Sequence, residues 1–257
     1  MPAGGLSNDL QMGLLLSVRR TWFVLTLGLV FSGCGGEKIA SMGLDSSCQP
    51  LLGGADCLLP YPSDFFRVED ASFPSGHRIE VDGYARMYDI EGESANILDF
   101  RDIDGFSRIP SISFVLPEQA VLDNAPGLLT HEGIAPVVTD QTLIIDATTG
   151  ELITHYTDVD PEFEDPKEQA IMVRVREMLK PEHRYVVAVH SLNNEAGQKI
   201  ATPEGFRRLR DSVDDESLSA LQARFDRDIF AVTDKAGLAR SDLQLAWDFT
   251  TGSVEYL

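Results

Sequence analysis

The segment LQLAWDFTT, Leu243 to Thr251, alternates apolar and polar residues and is rich in Trp, Phe and Thr, the side chains that suit a pleated, half-buried surface. It predicts a buried strand. More strands are predicted upstream. HRYVVAVHSL (residues 183–192) and AIMVRV (residues 170–175) are two of them. SISFVLP, Ser111–Pro117, is a third, stopped by proline, and HRIEVDGY predicts a fourth from Arg78 to Tyr84. QTLIIDATTGELITHY predicts two strands joined in a hairpin at Thr148-Thr149-Gly150, where glycine supplies a positive φ.

Helices gather towards the C-terminal end. TPEGFRRLRDSV has Thr202 as N-cap, Pro203 at the first helical position and Glu204 near the positive end of the dipole. In DDESLSALQARFDRDIFAVTDKAG a helical stripe runs through Leu218, Leu221, Phe225, Ile229 and Val232. Asp214 or Asp215 can cap it and Gly237 ends it. Strands first and helices after point to a mainly β, α+β chain and not to alternating βαβ units.

The front of the chain carries a different signal. SVRRTWFVLTLGLVFSGCGG places Arg19 and Arg20 before the apolar run Trp22–Phe31, then small residues ending at Cys34. A basic stretch, about ten apolar residues and a small-residue cleavage zone make an export signal, too short to span a bilayer. Met12 is an alternative start to Met1. Phe31-Ser32-Gly33-Cys34 resembles the lipobox of bacterial lipoproteins, with Phe31 where Leu is usual, and the resemblance implies lipidation of Cys34. The alternative is an ordinary secretory signal with Cys34 left over. Gly35 and Gly36 suit a flexible tether. Removing Cys34 from the three cysteines leaves Cys48 and Cys57, and an even remainder in an exported chain predicts a disulfide. Gly53-Gly54 between them allow the chain to turn back, and two Cys without a neighbouring His make a poor zinc set. The expected organisation is a signal peptide over 1–33, a tether over 34–56, a β-rich domain over 57–200, and a helical segment with a final strand over 201–257. CLLPYPSDFF is expected to lie extended across the domain surface, because Pro60 and Pro62 forbid a regular helix while Tyr61, Phe65 and Phe66 offer anchors.

A formal net charge of −20 excludes a nucleic-acid partner, whose phosphates demand a basic surface, and adhesion of the folded body to anionic lipid. FPSGH, Phe73–His77, resembles one signature of membrane-type acid phosphatases. The Lys-Arg clamp and second His of that chemistry are missing, so a turn is expected there. FRDIDGFS fails as a calcium loop, because aligning Gly105 puts Phe100 at the first ligand position and Ser111 at the last. DVDPEFEDP, Asp158–Pro166, reads as an exposed acidic loop, with an irregular calcium site as the minor alternative. The five histidines (His77, His131, His155, His183, His190) have no metal-ligand spacing, and no G-x-S-x-G elbow exists. No catalytic residue, metal or cofactor is therefore expected.

Four stretches in order resemble the N-terminal region of bacterial lipoprotein lipases of the virulence-factor type: CLLPYPSDFF, DGFSRIPSISFVLP, AIMVRVREMLKPEHRYVVAVHSLNNEAGQKI and LQLAWDFTTGS. The third also resembles a bacterial Ig-like strand pair, with Leu179-Lys180-Pro181 before one strand and Glu195-Ala196-Gly197 turning out of it. The resemblance implies an Ig-like β-sandwich core with C-terminal helices, followed by an α/β-hydrolase domain. On that reading Leu257 is a truncation point, and the catalytic positions lie beyond it. The expected function is a non-catalytic, lipid-anchored module of a lipase- or esterase-like hydrolase, placed at the outer membrane or cell surface, with membrane and hydrolase domain as partners. A stand-alone surface lipoprotein that binds a ligand or protein, through a patch near Tyr61, Phe65 and Phe66, is the second expectation. A self-contained enzyme using His190 and Asp248 is the third.

Overall fold

The computed structural model describes residues 39–81, 91, 103–129, 134–161, 165 and 169–255, all within one compact unit that spans residues 38–257. Among the described residues eight strands form three antiparallel sheets. β1 (Arg67–Glu69) and β2 (His77–Ile79) make a small hairpin. Its turn closes with Asp70 N–H donating to the Gly76 carbonyl, and Gly76 sits at φ 72°, so FPSGH is the turn expected of it. The hairpin strand is shorter than the sequence suggests, and residues 82–84 of that expectation lie outside the described residues.

Two three-stranded sheets carry most of the core. One has the order β3 (Ser111–Phe114), β6 (Ile171–Val175), β5 (His155–Val159). The other has the order β4 (Thr142–Asp146), β7 (Arg184–His190), β8 (Leu243–Thr250). Residues paired across neighbouring strands share a face. Register therefore puts Thr142, Ile144, Val187, Leu245 and Trp247 on one side of the second sheet, and Leu143, Ile145, Val186, Ala246 and Asp248 on the other. The first side packs on the other sheet. The Trp247 ring meets Phe114 edge-on at 5.7 Å, and the Thr142 hydroxyl lies 3.1 Å from His155 Nε2 and 2.7 Å from the Thr157 hydroxyl. The second side is covered by helices, so all eight residues of β8 are buried. The apolar–polar alternation is real, but its polar face meets protein and not water.

The expected hairpin at Thr148–Gly150 closes, yet its second strand does not stay. Ile153 N–H donates to the Ile144 carbonyl, as a hairpin partner should, and then the chain crosses to the other sheet, where β5 pairs with β6. His155 fixes the crossing: Nδ1 lies 2.8 Å from the Ile153 carbonyl and Nε2 reaches back to Thr142 on β4.

α1 (Glu204–Arg210) begins one residue later than the expected cap. Pro203 holds the cap position, and Thr202 Oγ1 instead accepts from Arg210. α2 (Ser219–Phe225) follows a short turn capped by Asp215, continues through a π-helical turn at Asp226–Phe230 and ends as α3 (Ala231–Lys235). The π turn adds one residue to the repeat, which brings both Ile229 and Phe230 inside where a plain stripe takes only Ile229. Phe206, Phe225 and Phe230 then form a ring cluster with centroids 5.8–6.4 Å apart. Gly237, at φ 89°, stops the helix as expected.

The N-terminal stretch departs most from expectation. The segment read as tether through Asp56 is folded from Cys48 onward: Cys48, Gln49, Leu51 and Leu52 are buried, because Leu51 and Leu52 join the main core. Gly205 makes this possible. A Cβ on it would stand 1.6 Å from the Pro50 carbonyl oxygen, so α1 and the loop touch backbone to backbone. CLLPYPSDFF likewise does not lie on the surface. Trp247 Nε1 donates to the Pro62 carbonyl, Tyr61 bridges to Ser113, and Phe66 is buried. The peptide bonds before Pro60 and Pro62 are both cis.

The expected disulfide is present, Cys48–Cys57, with Cα atoms 4.4 Å apart. Closing so short a loop restricts the unfolded chain by about 2–3 kcal/mol. Cys57→Ser is expected to lower the unfolding free energy by about that amount, read as a fall in the urea midpoint.

Candidate functional site

Asp248 sits in β8 on the helix-facing side, its side chain 1% exposed. Arg224 of α2 reaches it at 2.7 Å and Arg184 of β7 at 3.2 Å; the same Arg184 Nη1 also donates to the Asp228 carbonyl in the π turn. Two arginines thus fasten the helices to the sheet through one carboxylate. Close by, Asp64 caps the N-terminal segment onto β8. Its carboxylate accepts from Thr250 N–H at 2.8 Å and Thr250 Oγ1 at 2.6 Å. Burial, and then the negative charge of Asp248, push the Asp64 carboxyl up to about 6. Further along β8, Gln244 accepts from Leu192 N–H and donates to the Leu192 and Ile200 carbonyls. Every polar residue on this face of β8 is therefore engaged by a segment distant in sequence.

The cavity beside Asp248 measures about 10 Å³ and is walled by Gln49, Ser63, Phe65, Arg224 and Trp247 among others. That is room for one water. An ester or peptide substrate does not fit, so Asp248 is a strut.

His190 and Asp248 are not brought together. His190 pairs with Leu243, and Asp248 with Val186 four residues back along β7, a separation of about 13 Å at strand rise. His190 is buried at the end of β7, with Nδ1 2.9 Å from the Ser191 hydroxyl and Nε2 lacking a partner at hydrogen-bonding geometry. Burial lowers the basicity of both His190 and His155. His190 and Asp248 therefore do not share one site.

A roomier recess lies elsewhere, a groove of about 510 Å³ between the disulfide loop, the end of β3 and the start of α1. Leu52, Ala55, Val115, Leu116, Pro117 and Ala201 supply most of its wall. Its polar side chains are already occupied. Asp56 accepts from Leu58 and Leu59 N–H, Thr202 accepts from Arg210, and Glu204 is held well down, to about 2, by hydrogen bonds from Arg207 and Arg208. Such a wall receives apolar groups; it offers no nucleophile.

Of the residues singled out in the sequence, the structure joins Cys48 to Cys57. Cys34 and the whole signal lie outside the described residues. Tyr61 and Phe65 are half-buried against the core and Phe66 is buried. Asp158 of the acidic stretch faces Arg174 at 3.6 Å, and no group of three or more acids, His or Cys able to hold a metal is found among the described residues. Among the described residues no helix is long and apolar enough to cross a membrane. Asp64, Arg184 and Arg224 escaped the sequence reading; Ser63-Asp64 has the look of a helix cap, but nothing in sequence points it at Thr250, 186 residues away. In comparisons with known proteins, the chain matches no family model, no curated protein and no solved structure.

Asp248→Ala strips two partly buried arginines of their carboxylate and is expected to cost about 3 kcal/mol, measured by urea unfolding. Asp64 yields a pH signature. Its folded-state value near 6 stands above the ordinary 3.8, so its stabilising share is complete at acid pH and is lost as pH rises through 6. Between about pH 7 and pH 4 the native chain should gain about 2 kcal/mol relative to Asp64→Asn. His155 and His190 act in the opposite direction in both proteins and cancel in that comparison.

Proposed function

We propose that this chain is an exported, lipid-anchored module without catalytic chemistry of its own, tethered through Cys34 and acting by binding. In this reading it is the front part of a lipase- or esterase-like hydrolase of the envelope. The carrying observation is the contrast between Asp248, sealed by two arginines beside a one-water cavity, and the open groove of about 510 Å³ whose polar side chains are engaged by neighbours. A reactive site needs a free nucleophile or base at an accessible recess. The disulfide supports an oxidising compartment, as export requires.

An Ig-like sandwich is the finer description of the β core in this proposal. Two antiparallel sheets meet through Trp247, Phe114 and Thr142. The Tyr185 hydroxyl accepts from Lys180 N–H, five residues upstream at the entrance to β7; a tyrosine tied back to its own approach in this way is typical of Ig-type domains. A stand-alone surface lipoprotein is the second reading, and the groove favours it equally.

Expressed in a bacterium, the chain is expected in the membrane fraction with the mass of a lipidated N-terminal cysteine, and Cys34→Ala is expected to release it. No hydrolysis of a nitrophenyl ester is expected from the purified chain. Turnover abolished by a serine-directed inhibitor, or membrane association unchanged in Cys34→Ala, would overturn the reading.

A further inference from the structure

The N-terminal stretch enters the folded body beside the apolar groove. Arg208 of α1 serves two partners with one guanidinium: Nε donates to Glu204 at 2.8 Å and Nη1 to the Ala40 carbonyl at 2.8 Å. The Arg208 side chain is only 11% exposed, so this clamp belongs to the packed body. Glu204 is part of the groove wall, and Ala40 is thereby held at the rim. The chain then runs against the disulfide loop, another part of that wall. A Cβ on Gly54 would stand 2.6 Å from Leu44 Cδ2, and one on Gly53 would meet the Glu204 Cβ at 3.4 Å. Cys34, outside the described residues, lies six residues before Ala40. Six residues reach at most about 20 Å. Whatever Cys34 carries can therefore reach the groove.

The groove's chemistry narrows the occupant. Leu52, Ala55, Leu116, Pro117 and Ala201 offer apolar surface, while Asp56, Thr202 and Glu204 are engaged by neighbours. A peptide would bring N–H and C=O groups that need partners, and burying them unpaired is costly. An acyl chain brings none. The Asp56 and Glu204 carboxylates disfavour an ionised fatty acid, whereas an acyl chain in ester or amide linkage is neutral. A volume of about 510 Å³ suits a small ligand.

We propose that the groove receives an acyl chain of the lipid on Cys34 of the same molecule. The inference rests on the lipid-anchored reading and adds an intramolecular seat for the anchor. A short covalent connection presents that chain at an effective concentration on the order of millimolar. A second copy is a poor donor, because two bodies of net charge −20 repel. A chain drawn into the groove is withdrawn from the bilayer. Since a single acyl chain anchors a protein only marginally, the groove sets how firmly the module is held.

Expressing the full chain in a bacterium fed a fatty acid with a diazirine near its methyl end tests this. The lipidated protein is irradiated, the monomer isolated and the cross-linked peptides identified by mass. Cross-links from the Cys34 peptide to residues 52–56, 115–117 or 201–204 are expected. They should fall about tenfold or more in Ala55→Trp/Ala201→Trp, which crowds the groove. Both alanines are exposed, so the indoles leave the core alone. As a second measurement, Cys34→Ala should bind a neutral fluorescent dodecyl probe about tenfold or more tightly than the lipidated chain, whose own acyl chain competes. Lipid mass on Cys34 with no cross-link to the groove overturns the proposal. So do groove cross-links found only in dimers, groove peptides bearing a phospholipid mass in place of the Cys34 peptide, cross-links undiminished by the two tryptophans, or equal probe binding by the two proteins. Absence of lipid mass on Cys34 overturns the anchor reading itself, so the two failures are distinguishable.

Discussion

A strand that is dry on both faces cannot carry an unsatisfied polar atom, and β8 is such a strand. Its apolar face meets the other sheet through Trp247. Its other face holds Gln244, Asp248 and Thr250, and each needs a partner from outside the strand. Gln244 ties down the chain leaving β7, Asp248 fastens the helices through Arg184 and Arg224, and Thr250 seats the N-terminal segment through Asp64. The three layers and the N-terminal stretch are thereby located by polar demands that one eight-residue strand makes. The hydrophobic effect supplies the driving force, but it is non-directional; the directions come from these hydrogen bonds.

Much of the scaffold was legible in the sequence because it follows local rules. β3, β6, β7 and β8 are read from alternation and β-branched content, the β1–β2 turn from Ser75-Gly76, and the disulfide from cysteine count and Gly53-Gly54. What escaped is what depends on segments far apart. Nothing in THY signals that the strand changes sheets at Thr154, since a corner strand and a hairpin strand have the same residue pattern. The polar positions of β8 look like a solvent face, because the arginines that cover Asp248 lie 64 and 24 residues before it. The first residues of the folded body looked like tether because Gly and Ser are frequent there, while Leu51, Leu52 and Gly205 together make a core contact. The groove takes its walls from three separate stretches and has no signature at all.

The same geometry bears on the acidity of the surface. Of the 21 cationic side chains 16 are arginine, and many described ones are used as internal clamps. Arg108 donates to the Leu179 carbonyl, Arg176 to Gly127 and Leu128, Arg184 to Asp228, and Arg240 to Leu209 and Arg210. Arginine suits this role, because its planar fork serves two acceptors at once and stays charged when half-buried. Lysine, a mobile point charge, would leave the carbonyls at these turns poorly served. Several of these arginines serve two ends at once, since they also meet a carboxylate, as Arg240 does Asp226 and Arg184 does Asp248. The strong negative charge itself is set by composition, 41 acidic against 21 basic side chains, whichever way the arginines point.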